Sequence, residues 1–217
     1  MFFINFKLMM FIFLLFPIVA NSNQKSDLNN SENYKINKES DFLKFKKEGK
    51  PVISDKWMVV TANMQSSKSA AKILYNGGTA ADAMISAQLV LGLVEPESSG
   101  LGGGAVLVYF DNKKKEVITL DCRETAPLLI KENIFQDTKG NPLKFFDAVV
   151  GGKSVGTPGT PALLEEAYKR WGKTEWSLLF KDAINLSKNG FVISKKLSSS
   201  IERSKSSLSK FLNTKTY

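Results

Sequence analysis

Residues 77–94 read GGTAADAMISAQLVLGLV, a glycine pair followed by a largely apolar run. Thr79, with Asp82 three residues later, has the pattern of a capping box, in which each side chain accepts a hydrogen bond from the other residue's backbone N–H. A helix formed by the residues that follow would be apolar on nearly every side. Because a helix without a polar face is normally buried in a layered domain, we predict a buried helix over Ala80–Leu93, ended by Pro96.

Further helices and one β-hairpin surround this helix in the sequence. The hairpin strands are predicted at Ala105–Phe110 and Glu116–Asp121, around the polar turn 111–115. The predicted helices are Ser66–Tyr75, a helix capped by Thr160 with Pro161 in its first turn and ending at Trp171, a helix from Thr174 to Asn189, and a last helix from Lys195 towards Tyr217. Helices, a strand pair and then more helices predict an α+β fold with a helix layer on an antiparallel sheet.

The N-terminus has the composition of an export signal. Lys7 is the only charge in the first 24 residues, and Leu8–Ala20 is an apolar run interrupted only by Pro17. A basic head, a short apolar stretch and a small-residue exit are typical of a secretory signal peptide. We predict a signal peptide over residues 1–22 and an exported protein, periplasmic or secreted, with an uncleaved anchor as the alternative. Membrane contact is expected only through this signal.

Residues 23–50 are rich in Asn, Ser, Lys and Glu and show little periodicity. Such a composition buries too little apolar surface to offset the entropy of an ordered chain, so it predicts a disordered linker. The fold is expected to begin near Pro51.

The basic excess of the chain is confined to its two ends. The net charge is +9, yet residues 51–187 carry fifteen basic and fifteen acidic residues. A nucleic-acid-binding protein clusters its Lys and Arg on one face of the fold, so we expect no nucleic-acid partner.

Histidine is absent from the sequence, and Cys122 is the only cysteine. The first fact excludes Ser-His-Asp and Cys-His catalysis and His-ligated metal sites, and we expect no metal. Cys122 could be a nucleophile, but nothing near it in sequence offers a base. A small packed side chain is the preferred interpretation.

Two segments next to the hairpin are candidates for a site. The glycines of GLGGG at residues 100–104 form either a tight structural turn or a main-chain N–H lining for a substrate pocket. Arg123 follows the second strand, where its guanidinium could hold a carboxylate through two parallel hydrogen bonds. The alternative for Arg123 is an internal ion pair with Asp121 or Glu124.

Six segments, taken in order, resemble one family. They are Met58–Asn63, Gly77–Ala83, Val94–Gly104, Asp121–Pro127, Ser154–Thr160 and Gly190–Ser194. Together they resemble the γ-glutamyltransferase (γ-glutamyltranspeptidase, glutathione hydrolase) family, and they place residues 51–217 in the N-terminal part of its large subunit. The resemblance implies the αββα layered fold of the N-terminal-nucleophile hydrolases, here incomplete.

The same resemblance implies a chemistry without a cofactor. In this family a precursor cuts itself, and the new N-terminal threonine of the small subunit attacks the γ-glutamyl carbonyl. The γ-glutamyl group then passes to water, an amino acid or a peptide. The arginine of the D-x-R-E segment holds the α-carboxylate of that group, and Arg123 matches it. The implied partners are γ-glutamyl compounds such as glutathione and the small-subunit half.

Full family members are much longer than this chain, and no threonine here lies in the family's cleavage-site context. We therefore expect no catalytic residue among these 217 residues and no activity from this chain alone. A truncated product, a gene fragment and one piece of a split enzyme all fit this pattern. A related acylase or amidase of the same superfamily, and a non-catalytic exported binding module, are the competing functional interpretations.

Overall fold

The computed structural model describes residues 39–215, with side chains from Leu43 onward. The elements are α1 (Glu39–Lys47), α2 (Met64–Tyr75), α3 (Ala80–Val94), β1 (Ala105–Asp111), β2 (Glu116–Cys122), α4 (Phe145–Val149), α5 (Thr160–Trp171), α6 (Trp176–Leu179), α7 (Lys181–Asn189), α8 (Lys195–Leu208) and α9 (Leu212–Lys215). A 3-10 turn at Gly152–Ser154 lies between α4 and α5.

The predicted signal peptide at 1–22 and residues 23–38 of the predicted linker lie outside the described residues. Within the rest of that linker the structure differs from the prediction, because α1 is helical. Its last turn carries Lys44, Lys46 and Lys47, whose charges suit the negative end of the helix dipole.

The predicted buried helix is confirmed as α3. It begins with the predicted capping box, in which Thr79 Oγ1 accepts from the Asp82 N–H at 3.1 Å and Asp82 Oδ2 accepts from the Thr79 N–H at 2.9 Å. Ile85 and Val90 are fully buried in its middle. Burying side chains of this size contributes about 1.5–3 kcal/mol each, so α3 supplies much of the described core.

Small residues let α2 lie close against α3. The Ser66 hydroxyl donates to the Ala87 carbonyl at 2.9 Å, and the hydroxyls of Ser69 and Ser86 are 2.7 Å apart. All of these residues are buried, and each hydroxyl has a hydrogen-bond partner. The paired hydroxyls avoid the cost of burying polar groups in an interface too narrow for large side chains.

The Asp82 carboxylate also joins α3 to the segment between α5 and α6. It accepts hydrogen bonds from the backbone N–H groups of Lys173 and Thr174, at 3.1 and 3.0 Å, and from the Thr174 hydroxyl at 3.0 Å. Asp82 itself is fully buried. The carboxylate therefore receives hydrogen bonds both from the adjacent Thr79 and from residues more than ninety positions later.

Near the Thr174 hydrogen bonds to Asp82, the helix boundaries differ from those predicted. The helix predicted from Thr174 to Asn189 is instead two helices, α6 and α7, separated at Phe180. The Thr174 hydroxyl donates to Asp82, and Glu175 takes the N-cap position of α6. The Phe180 ring packs against Trp176, with ring centroids 4.9 Å apart, so the break turns an aromatic side chain towards the core.

Two further helix boundaries differ from the sequence predictions. Gly159, not Thr160, is the N-cap of α5, and the buried Thr160 hydroxyl has no hydrogen-bond partner among the described residues. The last predicted helix does not run on to Tyr217. It ends at Leu208, and a short α9 follows.

The predicted hairpin is confirmed, with β1 and β2 antiparallel and Leu107 paired with Leu120. One face packs against the helices through Ala105, Leu107, Leu120 and Cys122. On that face Tyr109 stacks on Trp171 of α5, with ring centroids 4.0 Å apart. This is the helix-on-sheet packing expected of the α+β class. The sheet described within residues 39–215 has two strands, so the four-layer arrangement stays a prediction.

The opposite face of the hairpin is open within the described part of the chain. Its apolar side chains are Val106, Val108, Phe110 and Val117, each more than half exposed. Apolar side chains clustered in this way typically mark a contact surface.

We expect Asp82→Asn to lower the free energy of unfolding by about 3 kcal/mol, because the amide NH₂ would face backbone donors and leave a buried N–H unpaired. Chemical denaturation measures the change. Asp55→Asn is the matched control, because Asp55 is exposed and the substitution there should cost little. Equal losses in both variants would contradict the central role of Asp82.

The open hairpin face should bind a hydrophobic dye such as ANS. Replacing Val106 and Val108 together by Thr keeps β-branched side chains in the strand while making this face more polar, so dye fluorescence should fall with little change in stability. Val60→Thr is the control, since Val60 is 84% exposed but lies outside the sheet. An unchanged dye signal in the double variant would show that the dye binds elsewhere.

Candidate functional site

Three loops meet at the end of β2, and we call residues 100–104, 121–127 and 156–160 the three-loop junction. The backbone N–H groups of Gly159 and Thr160 both donate to the Gly103 carbonyl at 3.0 Å. Thr157 donates to the Thr125 carbonyl at 2.8 Å, which closes a short antiparallel bridge. The structure thus brings together three segments that the sequence places up to about sixty residues apart.

Arg123 lies one residue beyond β2, inside this junction. Its backbone N–H donates to Asp121 Oδ1 at 3.1 Å, which fixes the turn that leaves the strand. The side chain is exposed, and among residues 43–215 it forms no ion pair with a carboxylate. The internal pair with Asp121 or Glu124, considered as the alternative, is not observed in this part of the chain.

The Glu124 carboxylate lies against the glycine loop, where a Cβ on Gly104 would be 2.7 Å from Glu124 Oε2. Hydrogen bonds from its own backbone N–H and from the Gly104 N–H hold the pKa of the Glu124 carboxyl below its ordinary value, and the nearby charge of Arg123 lowers it further. The carboxylate therefore faces the glycine loop. The Arg123 guanidinium keeps its donors available for an external carboxylate.

The glycines of the junction allow an unusually close approach of backbone to backbone. A Cβ on Gly104 would lie 2.6 Å from the Glu124 nitrogen and 2.7 Å from the Cys122 carbonyl oxygen. A Cβ on Gly159 would lie 1.8 Å from that same oxygen. Within the cluster, the Gly103 N–H donates to the Gly100 carbonyl at 3.3 Å and closes a turn over residues 100–103, while Gly104 allows the close approach of residues 122–124.

Cys122 is half-buried and packs against the hydrophobic core, as the packed-side-chain interpretation predicts. Within residues 39–215 there is no group of three or more His, Cys, Asp or Glu side chains that could hold a metal ion. Over the same residues, none of the helices combines the length and the apolar character needed to cross a bilayer.

Glu95, at the start of the loop that leads into the junction, is a structural residue that was not predicted from the sequence. It is buried, accepts from Asn63 Nδ2 at 3.0 Å, and forms an ion pair with Lys196 of α8 at 3.0 Å. The hydrogen bond from Asn63, with the Lys196 ion pair, holds the pKa of Glu95 below its ordinary value against the opposing effect of burial. Glu95 could have been identified in the sequence as a carboxylate directly after a helix that was predicted to be buried.

Comparison with solved structures finds the same architecture in a γ-glutamyltranspeptidase and in an acylase. γ-Glutamyltranspeptidase from Helicobacter pylori superimposes with a TM-score of 0.71 and 30% identity, covering 77% of this chain and 48% of that one. A cephalosporin acylase from Bacillus halodurans superimposes with a TM-score of 0.55 at 21% identity, covering 72% of this chain and 30% of that one, which is a likeness of fold alone.

The family follows from the sequence comparison. The family model for gamma-glutamyltranspeptidase matches residues 66–217. A glutathione hydrolase proenzyme of Bacillus subtilis subsp. natto is 37% identical over 153 residues, which are 70% of this chain and 26% of that protein. Glutathione hydrolase 3 of Arabidopsis thaliana is 37% identical over 143 residues, covering 65% of this chain and 21% of that protein.

The chain belongs to the gamma-glutamyltranspeptidase family and corresponds to its N-terminal part. It spans about a quarter of the length of the curated relatives it matches. The resemblance drawn from the six sequence segments is thereby confirmed.

The ionised Glu95 gives a stability that depends on pH. Its pKa in the folded protein lies below the ordinary value of a glutamate carboxyl, so this contribution is present above the pKa of the unfolded chain and is lost as the pH falls through the folded pKa. Glu95→Gln should therefore flatten the decline of the unfolding free energy between about pH 5 and pH 3.

Urea denaturation at a series of pH values measures this effect. Glu97→Gln removes the other carboxylate that pairs with Lys196, and it should cost less at neutral pH because Glu97 is more exposed. Wild-type and Glu95→Gln proteins that decline in parallel would exclude the Glu95 contribution.

Proposed function

We propose that this protein takes part in cleaving and transferring γ-glutamyl groups, as the part of a γ-glutamyltransferase that binds the substrate α-carboxylate. The substrates would be γ-glutamyl compounds such as glutathione. The observation that carries this proposal is the exposed Arg123 side chain, which has no ion-pair partner in residues 43–215 and lies where three family segments meet. Relatives at 37% identity bear the name glutathione hydrolase.

The guanidinium of Arg123 suits this role chemically. Its planar fork can donate two parallel hydrogen bonds to one carboxylate, and the neighbouring Glu124 is already occupied by backbone donors. A carboxylate bound in this way fixes one end of the γ-glutamyl group. The reacting carbonyl lies at the other end of that group, so Arg123 acts in binding and orientation rather than in bond making.

The nucleophile would come from a threonine outside these 217 residues, as the family resemblance implies. That threonine attacks the γ-carbonyl, the amine leaves, and the γ-glutamyl group passes to water or to an acceptor amine. Export of the protein stays part of the proposal and rests on the apolar run Leu8–Ala20. N-terminal sequencing of the mature protein would show whether residues 1–22 are removed.

A related acylase or amidase and a non-catalytic exported binding module are the alternatives. The acylase likeness is one of fold at 21% identity, whereas the glutathione hydrolases share 37% identity with this chain. Titration with glutathione that saturates without turnover, in the protein combined with a nucleophile-bearing chain, would favour the binding module.

The purified 217-residue chain should release no glutamate from glutathione or from a γ-glutamyl anilide, and it should not cut itself. Supplied with the threonine-bearing part of the enzyme, either as a continuation of the chain or as a separate chain, it should release both products. Anilide release and the mass of the intact chain are the measurements. Turnover by the chain alone that survives rigorous removal of contaminants would contradict the proposed division of roles.

In the combined enzyme, Arg123→Lys should raise KM by about 30-fold to a few thousand-fold, because a lysine cannot reproduce two parallel hydrogen bonds. The value of kcat should change less if the contact is equal in the ground and transition states. Arg203→Lys is the control, because Arg203 is exposed on α8, outside the junction. A lowered melting temperature with unchanged KM would remove Arg123 from the site.

A further inference from the structure

We propose that Gly159 is a positioning residue for Arg123, and that its missing side chain sets the selectivity of the site for γ-glutamyl compounds with an unmodified α-carboxylate. This inference rests on the proposed function, because it assigns Arg123 to that carboxylate. Gly159 itself would touch no substrate and would act through the end of β2.

The contact that carries the inference is between Gly159 and the Cys122 carbonyl. A Cβ on Gly159 would lie 1.8 Å from the carbonyl oxygen and 2.7 Å from the carbonyl carbon. Real Cβ contacts are essentially never shorter than 3.0 Å. An alanine here would therefore push the two groups apart by about 1 Å, and backbone atoms cannot rotate away as a flexible side chain can.

The conformation of Gly159 does not by itself require glycine. Its φ of −108° and ψ of −24° are open to any residue. Glycine at this position is thus explained by the close approach alone.

The displaced carbonyl belongs to the residue directly before Arg123. Cys122 is the last residue of β2 and pairs with Ala105. A Cβ on Gly104 would also lie close to this carbonyl oxygen, at 2.7 Å. With two such close contacts on one carbonyl, the peptide that joins Cys122 to Arg123 has little room to move, and the backbone that carries the Arg123 side chain is restrained with it.

The Gly103 carbonyl adds a second restraint to this arrangement. It accepts the backbone N–H groups of Gly159 and Thr160, both at 3.0 Å, so the first turn of α5 is joined to the glycine loop. Widening the contact at Gly159 would therefore strain these two hydrogen bonds, and the shift would pass to β2. A misplacement of about 1 Å in a positioning group can cost about 100-fold in rate.

The test uses the protein together with the threonine-bearing part of the enzyme. Two substrates are compared, a γ-glutamyl anilide and its α-methyl ester, which keeps the γ-bond but lacks the carboxylate. Gly159→Ala should lower kcat/KM for the free acid by about 10- to 100-fold, mainly through KM. The ester should change by less than about threefold, because it makes no carboxylate contact.

Two further variants make the result specific to Arg123. Gly152→Ala is the matched control, because a Cβ on Gly152 meets nothing within 4 Å, and it should behave as wild type. In an Arg123→Lys background, Gly159→Ala should add less than about a threefold further loss, since residues that act through one contact are not additive.

Should Gly159→Ala fail to fold, Gly156→Ala decides the question. A Cβ on Gly156 would lie 2.9 Å from Glu124 Cβ and 3.1 Å from the Thr125 carbonyl oxygen, which is a milder contact on the same loop. It should show the same selective loss on the free acid, at a smaller size.

Equal losses on both substrates, or none, would overturn the role of Gly159. If Arg123→Lys leaves KM unchanged while the wild type turns over, the inference fails and γ-glutamyl cleavage stands. If the wild-type complex turns over neither substrate, the proposed function fails and this inference fails with it.

Discussion

The buried Asp82 carboxylate is the interaction on which the described fold depends. It satisfies the Thr79 N–H at the start of α3, and it also accepts from two backbone N–H groups and one hydroxyl of Lys173 and Thr174. A buried carboxylate without such donors would cost several kcal/mol. Since α3 carries much of the core and α5 carries the Trp171 ring on which the hairpin stacks, one charged group fixes the relation between helices and sheet.

The three-loop junction is connected to the Asp82 hydrogen bonds through helix α5. The first turn of α5 binds the Gly103 carbonyl, while the far end of α5 leads into the residues that Asp82 holds. Arg123 is therefore an exposed side chain on a backbone with little freedom. Such pre-organisation suits a binding role, because the cost of ordering the site is met during folding rather than on binding.

Local patterns in the sequence predicted what local physics controls. The Thr79–Asp82 capping box, the burial of α3 and the hairpin pairing all follow from residues close to each other in the chain. The start of α6 after Thr174 could not be predicted in this way, because the Thr174 hydroxyl donates to a carboxylate 92 residues earlier. The N-cap position predicted for Thr160 is taken by Gly159, and the backbone N–H groups of both residues donate to the Gly103 carbonyl of a distant loop, which no local pattern shows.

The candidate site was likewise predictable only where its signal is local. The position of Arg123 after a strand identified the residue, but the sequence could not show that Glu124 turns to the Gly104 N–H or that Gly159 packs on the Cys122 carbonyl.

Both ends of helix α3 are bound by residues far along the chain. Thr174 donates to Asp82 at one end, and Lys196, 101 residues away, pairs with Glu95 at the other. During synthesis on the ribosome, α2 and α3 emerge long before either partner. The two carboxylates must therefore stay hydrated until the later residues arrive, so final burial of α3 is a late event in assembly.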